Sequence, residues 1–234
     1  PYRRQRQMCI RDSPMTKVVR NGDGAALMQN VPLAARIVEA VAKAVSVPVT
    51  VKCRLGWDRG NLCVVELAQA VAGAGAQAIA VHGRTRAMLY SGVADWDTIR
   101  QVKQAVAIPV IANGDIFSGE AAVQCQKRSA ADFLMLGRGV FGDPWLFQEV
   151  NAALEGRPIP PRPPLAARMD TALEQLHLAR QDKGEHIACL EARKHFAWYL
   201  RGVAYSGYYK ERISHIATMA EAEAIAAGIK RDLK

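Results

Sequence analysis

Residues 108–115 read Ile108-Pro109-Val110-Ile111-Ala112-Asn113-Gly114-Asp115. A proline opens an apolar run that is too short for a helix, and the run closes on polar and glycine positions. Such a run reads as a parallel strand buried on both faces. The same pattern occurs 61 residues earlier, where Val47-Pro48-Val49 opens a strand. Four strands follow from this reading: Val49–Lys52, Ala78–His82, Val110–Asn113 and Phe133–Gly137. Between them Leu62–Ala72, Asp95–Ala105 and Gly119–Lys127 carry apolar residues at helical spacing, and Leu33–Val45 is a further helix before the first strand. Trp96, Ile99, Val102 and Val106 make one such stripe. The second and fourth strands both run into Gly-Arg, at Gly83-Arg84 and Gly137-Arg138. A paired βαβα unit used twice predicts an α/β fold, a βα barrel of the TIM type or half of one, with an open doubly wound sheet as the alternative. No Gly-x-Gly-x-x-Gly follows a strand, which removes support for a dinucleotide-binding reading.

The pattern stops at Arg157-Pro-Ile-Pro-Pro-Arg-Pro-Pro164, where five of eight residues are proline. Proline at that density excludes helix and marks a linker. Beyond it Leu165–Gln181, Ile187–Leu200 and the Ala-rich stretch from Arg212 to Leu233 read as helices, which predicts a small all-helical domain. The expected organisation is therefore a partial barrel over 14–156, a linker over 157–164 and a helical domain over 165–234. The 234 residues carry a formal charge of +9. Residues 1–20 hold six Lys/Arg against one Asp, residues 21–156 twelve of each sign, and residues 157–234 thirteen basic against nine acidic. A neutral body with basic ends suits a polyanionic partner. The five cysteines are scattered with no Cys-x-x-Cys pair, which argues against a disulfide framework and against a zinc site. No secretory signal and no apolar stretch of membrane-spanning length is read, so the expectation is a cytoplasmic protein without a membrane or an obligate protein partner.

In a βα barrel the chemistry sits at the C-terminal ends of the strands. That rule selects Lys52 and Arg54, then His82, Gly83 and Arg84, then Asn113, Gly114 and Asp115, then Gly137, Arg138 and Gly139. Every strand thus runs from an apolar interior into polar residues. Taken alone, Lys52 reads equally as a solvated strand end and His82 as a satisfied core histidine; the argument lies in the set. Glycines at the last cluster let backbone N–H groups approach a phosphate, and Arg138 adds a fork of donors.

These motifs together carry a resemblance. Val-Lys52-Cys-Arg54-Leu-Gly-Trp57, Val-His82-Gly-Arg84-Thr-Arg86, Ile-Ala-Asn113-Gly-Asp115-Ile and Leu-Gly137-Arg138-Gly139 resemble the tRNA-dihydrouridine synthases, nearest the bacterial B type. Pro144-Trp145-Leu-Phe147, Arg193-Lys194-His195 and the upstream Lys17-Val-Val-Arg20-Asn21-Gly22 fit as well. The resemblance covers residues 14–234. It implies the C-terminal half of a TIM-type flavin barrel followed by a helical tRNA-binding domain. It also implies an activity: reduction of the uracil 5,6 double bond in tRNA, with FMN as cofactor and NADPH as reductant. Lys52, His82, Arg84, Asn113, Gly114, Asp115, Gly137 and Arg138 would serve FMN or the site around it, with His82 also catalytic. Arg193, Lys194, His195 and Arg201 would serve the RNA, whose target base must leave its stack to react.

Two departures stand out. Ser13 occupies the place of the family's catalytic cysteine, within Asp12-Ser13-Pro14. A hydroxyl is a far weaker acid than a thiol, so proton donation to C5 of uracil should be impaired. The residues before Pro14 resemble nothing in the family, and the segment 1–13 reads as foreign or unstructured. Four strand-plus-helix units stand where a closed barrel has eight, so the expectation is a truncated enzyme that reduces no uridine as it stands. The alternatives are another FMN-dependent barrel oxidoreductase, which has no use for a basic helical tail, and a non-catalytic RNA-binding half-barrel, which has no use for the Lys52, His82, Asn113 and Arg138 set.

Overall fold

A computed structural model of the protein describes Met15 and residues 19–233. Ser13 and the rest of the 1–13 segment lie outside the described residues. The contacts divide the chain into two compact units, one ending at Gly137 and the other running from Arg138 to Lys234.

The first unit is built on four parallel strands in sequential order: β1 (Thr50–Arg54), β2 (Ala78–His82), β3 (Val110–Asn113) and β4 (Phe133–Met135). Four helices accompany them, α1 (Val31–Ala44), α2 (Val64–Gly73), α3 (Trp96–Ala105) and α4 (Gly119–Ser129), and each touches the next. Their starts are chemically marked. The Asn30 side chain accepts from Leu33 N, Asp95 from Asp97 N and Thr98 N, and Ser118 from Ala121 N, each satisfying amides that a helix start leaves open. The register aligns Lys52 with Ala80, Ala80 with Ile111 and Ile111 with Phe133; one row further on, Arg54, His82, Asn113 and Met135 align.

Side chains alternate along a strand, so these two rows share a face. Val51, Cys53, Ile79, Val81, Val110 and Ala112 share the opposite face and are all buried. The expectation of strands buried on both faces is corrected here. The second face is sealed along β1 to β3; on the first, Arg54, Ala80 and His82 are buried, but Lys52, Ile111 and Asn113 are half-buried and Phe133 is 61% exposed. The apolar character of these short strands comes from the sealed face and from small residues such as Ala80, not from two covered faces.

The second unit begins with a short 3-10 turn, Arg138–Val140, and α5 (Leu146–Leu154). After the proline segment come α6 (Leu165–Lys183), α7 (Glu185–Tyr199), α8 (Gly207–Ser214) and α9 (Met219–Asp232). Met169, Leu176, Phe196, Leu200, Ile213 and Ile225 are among the residues of their shared core. Residues ahead of the prolines join this core rather than the sheet: the Phe141 ring stacks on Trp198 at 4.3 Å between centroids, and Trp145 meets Tyr199 edge-on at 6.3 Å. The single helical stretch expected from Arg212 to Leu233 is two helices. Thr218 breaks it, forming a capping box in which its side chain accepts from Glu221 N while the Glu221 carboxylate accepts from Thr218 N. Among the described residues no helix is long and apolar enough to cross a membrane.

Candidate active site

The polar ends of β1, β2 and β3 meet in one row. Arg54, His82 and Asn113 are register partners, and Lys52 lies one step back along β1 on the same face. Lys52 thus lies within the strand rather than at its end, which the sequence placed two residues earlier. The Asn113 carboxamide donates to the Met135 carbonyl at 2.8 Å, tying the end of β3 to β4. A Cβ placed on Gly137 would lie 3.9 Å from Asn113 Nδ2, so Gly137 passes beside that amide and leaves room around it. Gly114 sits at φ 123° and Asp115 at φ 58°. These left-handed positions turn the chain out of β3 against His82, and a Cβ on Gly114 would come within 2.9 Å of Ala94 Cβ and 3.2 Å of His82 Cδ2.

Two buried arginines fasten the loop that follows β2. Arg54 is 2% exposed, and its Nη1 donates to the carbonyls of Thr85 and Leu89 at 3.1 and 2.9 Å. Arg84, also 2% exposed, donates to the Ser91 and Gly92 carbonyls and to both oxygens of Asp115, at 2.7–3.0 Å. Asp115 Oδ2 further accepts from Ala94 N at 2.7 Å. Arg84, expected to line the site, and Asp115, expected on the ribityl and phosphate side of FMN, make a part-buried ion pair that holds the loop following β2. Tyr90, which the sequence reading passed over, borders the row. Its ring lies 6.3 Å from that of His82 and 5.8 Å from the Arg54 guanidinium, and it is 55% exposed. The available signal was its place in the polar segment after the second strand, five residues past Thr85.

The electrostatics of the row are lopsided. Burial, then the cations of Arg54, Lys52 and Arg84, push His82 down to about 3, and Asp115 opposes them. His82 is accordingly a neutral imidazole at neutral pH. Arg84 Nη1 is buried without a hydrogen-bond partner among the described residues. The strand ends thus form a rim of positive potential that favours an anion.

The remaining residues singled out from sequence belong to the second unit. Arg138 is exposed at the head of the 3-10 turn. Arg193 is half-buried and donates from Nε to the Ile216 carbonyl at 2.9 Å, so it ties α7 to the turn after α8 as well as carrying charge. Lys194 is exposed with its ammonium 5.4 Å from the centroid of the Trp198 ring, and Arg201 is exposed. His195 packs edge-on to Trp198 at 4.8 Å, and burial holds its imidazole below the ordinary value. Ser13 lies outside the described residues.

Comparison with known proteins agrees with the sequence motifs. Residues 13–233 match the family model described as dihydrouridine synthase. A probable tRNA-dihydrouridine synthase of Synechocystis is 42% identical over 208 residues, spanning 89% of this chain and 58% of that protein. A probable tRNA-dihydrouridine synthase of Rickettsia prowazekii is 44% identical over 197 residues, 84% of this chain and 60% of that protein. The tRNA-dihydrouridine synthase B of Pseudomonas aeruginosa is 45% identical over 190 residues, 80% of this chain and 56% of that protein. The chain thus spans about three-fifths of the length of the curated relatives it matches. With nearly all of its residues covered by the family model, and with the motif-bearing strand ends drawn into one row, the chain belongs to the dihydrouridine synthase family.

Proposed function

We propose that this chain serves the flavin-dependent reduction of uridine to 5,6-dihydrouridine in tRNA, with NADPH as reductant, in the cytoplasm. The observation that carries the reading is the row of Arg54, His82 and Asn113, with Lys52 one step behind, on the sheet face left unsealed. The residues fit FMN. Positive potential around His82 suits an anionic phosphate and a flavin that gains negative charge on reduction, and Gly114 and Gly137 keep side chains away from the strand ends. Asn113, Gly114, Gly137 and Arg138 would hold the ribityl and phosphate side, and Lys52 and His82 the ring side. FMN held there would supply two-electron hydride chemistry, with NADPH as reductant and C6 of uracil as the acceptor.

The chain's own residues supply position and charge. Lys52 places a cation where negative charge develops, and a preorganised charge lowers a barrier without reorganisation at the moment of reaction. His82, neutral, contributes hydrogen bonding without adding a charge. Arg54, Arg84 and Asp115 hold the adjoining loop, so that Tyr90 and His82 keep their places. By the motif resemblance Ser13 takes the sequence position of the cysteine that would protonate C5 of uracil, and a hydroxyl is a poor acid for that step. The helical segment 165–234 would dock the tRNA, through Lys194, Arg201 and the charge of Arg193, and the sheet unit that ends at Gly137 would be the main flavin-binding part.

The test is substrate choice. The chain is joined to the portion of the Synechocystis relative outside its match and incubated with FMN and NADPH. Dihydrouridine is then measured by mass spectrometry in unmodified tRNA and in free uridine. Product in tRNA alone supports the reading. Reduction of the free pyrimidine with tRNA untouched would support a small-molecule FMN oxidoreductase instead.

A further inference from the structure

Between α7 and α8 the chain turns through residues 200–206. Tyr205 adopts φ 55° there, and its side chain is 94% exposed. A tyrosine in the left-handed region is strained, and strain of this kind persists only where the surroundings enforce it. The enforcement comes from the next residue. Ser206 is buried, its hydroxyl donates to the Val203 carbonyl at 2.7 Å, and its carbonyl accepts from Lys210 N at 2.9 Å. The turn is thus anchored on Ser206 while the neighbouring ring is held in solvent, where it adds nothing to the core. Tyr208 follows at the start of α8, 62% exposed, with the Arg212 guanidinium 5.8 Å from its ring centroid. Around them residues 193–212 carry five basic side chains (Arg193, Lys194, Arg201, Lys210 and Arg212) and one acidic, Glu211.

We propose that Tyr205, with Tyr208 three residues on, is a stacking platform for an unstacked base of the tRNA. The inference rests on the reading that tRNA is the substrate and adds to it a contact of a different kind from phosphate pairing. An aromatic ring in open solvent offers a face to any base, and the cations beside it in sequence neutralise the backbone that carries the base. A protein-docking patch would be expected to centre on apolar residues with few charges; here the exposed rings stand in a strongly basic stretch.

The experiment is binding of labelled, unmodified tRNA to the full chain, followed by fluorescence anisotropy at two salt concentrations. Tyr205→Ala should weaken binding about tenfold at both, with the salt dependence unchanged, because stacking releases no counterions. Tyr205→Phe should bind as the parent does. Thermal melting of the two variants should match the parent, since the ring packs on nothing. Arg201→Ala should instead flatten the salt dependence. Equal binding by the parent and Tyr205→Ala would overturn the stacking role and leave the tRNA reading in place. A Phe variant as weak as the Ala variant would also overturn it. A parent chain that binds no tRNA would overturn the reading itself, and the platform with it.

Discussion

His82 sets the acid behaviour of the first unit. Its imidazole titrates near 3 when folded, against an ordinary value of 6.5. Between those values the unfolded chain binds the extra proton, so stability falls as pH drops from about 6.5 toward 3. Thermal melts at pH 7, 6 and 5 should show a falling midpoint, and His82→Gln should flatten the trend; an identical slope in the variant would contradict the assignment. Arg84 gives a second expectation. Replacing it with Met strands the Asp115 carboxylate and the Ser91 and Gly92 carbonyls, and should cost about 3 kcal/mol in urea unfolding. Lysine should not rescue it, because one ammonium cannot span Ser91, Gly92 and Asp115. For Ser13→Cys, dihydrouridine formation by the chain joined to the Synechocystis portion should rise by about 10²–10⁴-fold; an unchanged rate would remove the proton-donor role from this position. The sequence singled out the strand-end residues but could not separate those facing the open rim from those spent inside the loop. Arg84 reads the same in either role, and only the carbonyls of Ser91 and Gly92 decide it.

At the scale of elements, the strands were legible because a run such as Val110–Asn113 permits little else. Their open face was not, since Phe133 and Ile111 look as apolar as Ile79 and Val81. The break before α9 was legible in principle: Thr218 followed three residues later by Glu221 is a helix-start signal set inside an Ala-rich stretch that reads as continuous helix. Thr218→Ala should destabilise the second unit by about 1 kcal/mol, measurable by chemical unfolding. Gly142 is a harsher case. It lies at φ 70°, and a Cβ there would meet the Trp198 backbone at 2.3 Å. That contact is with main chain, so nothing flexible can give way. Gly142→Ala should separate Phe141 from Trp198 and cost several times the Thr218 substitution; equal midpoints for the two variants would show that this junction is not packed as described.

On the scale of the whole molecule, a parallel sheet presents the polar ends of its first three strands in a row, and a helical unit carries the surplus basic charge of the tail. The division at Gly137, rather than at the prolines, was hidden because Phe141 and Trp145 give no sign in sequence of which neighbours they will pack on. The central claim is that the row on the unsealed face is the catalytic face for uridine in tRNA. The direct measurement is the initial rate of NADPH-dependent dihydrouridine formation in unmodified tRNA by the chain joined to the Synechocystis portion and by its Lys52→Met variant. Lys52 is half-buried, and methionine keeps its length without its charge. The account predicts a loss of at least about 10²-fold, the scale of removing one preorganised charge-stabilising group. Equal rates for parent and variant would contradict it.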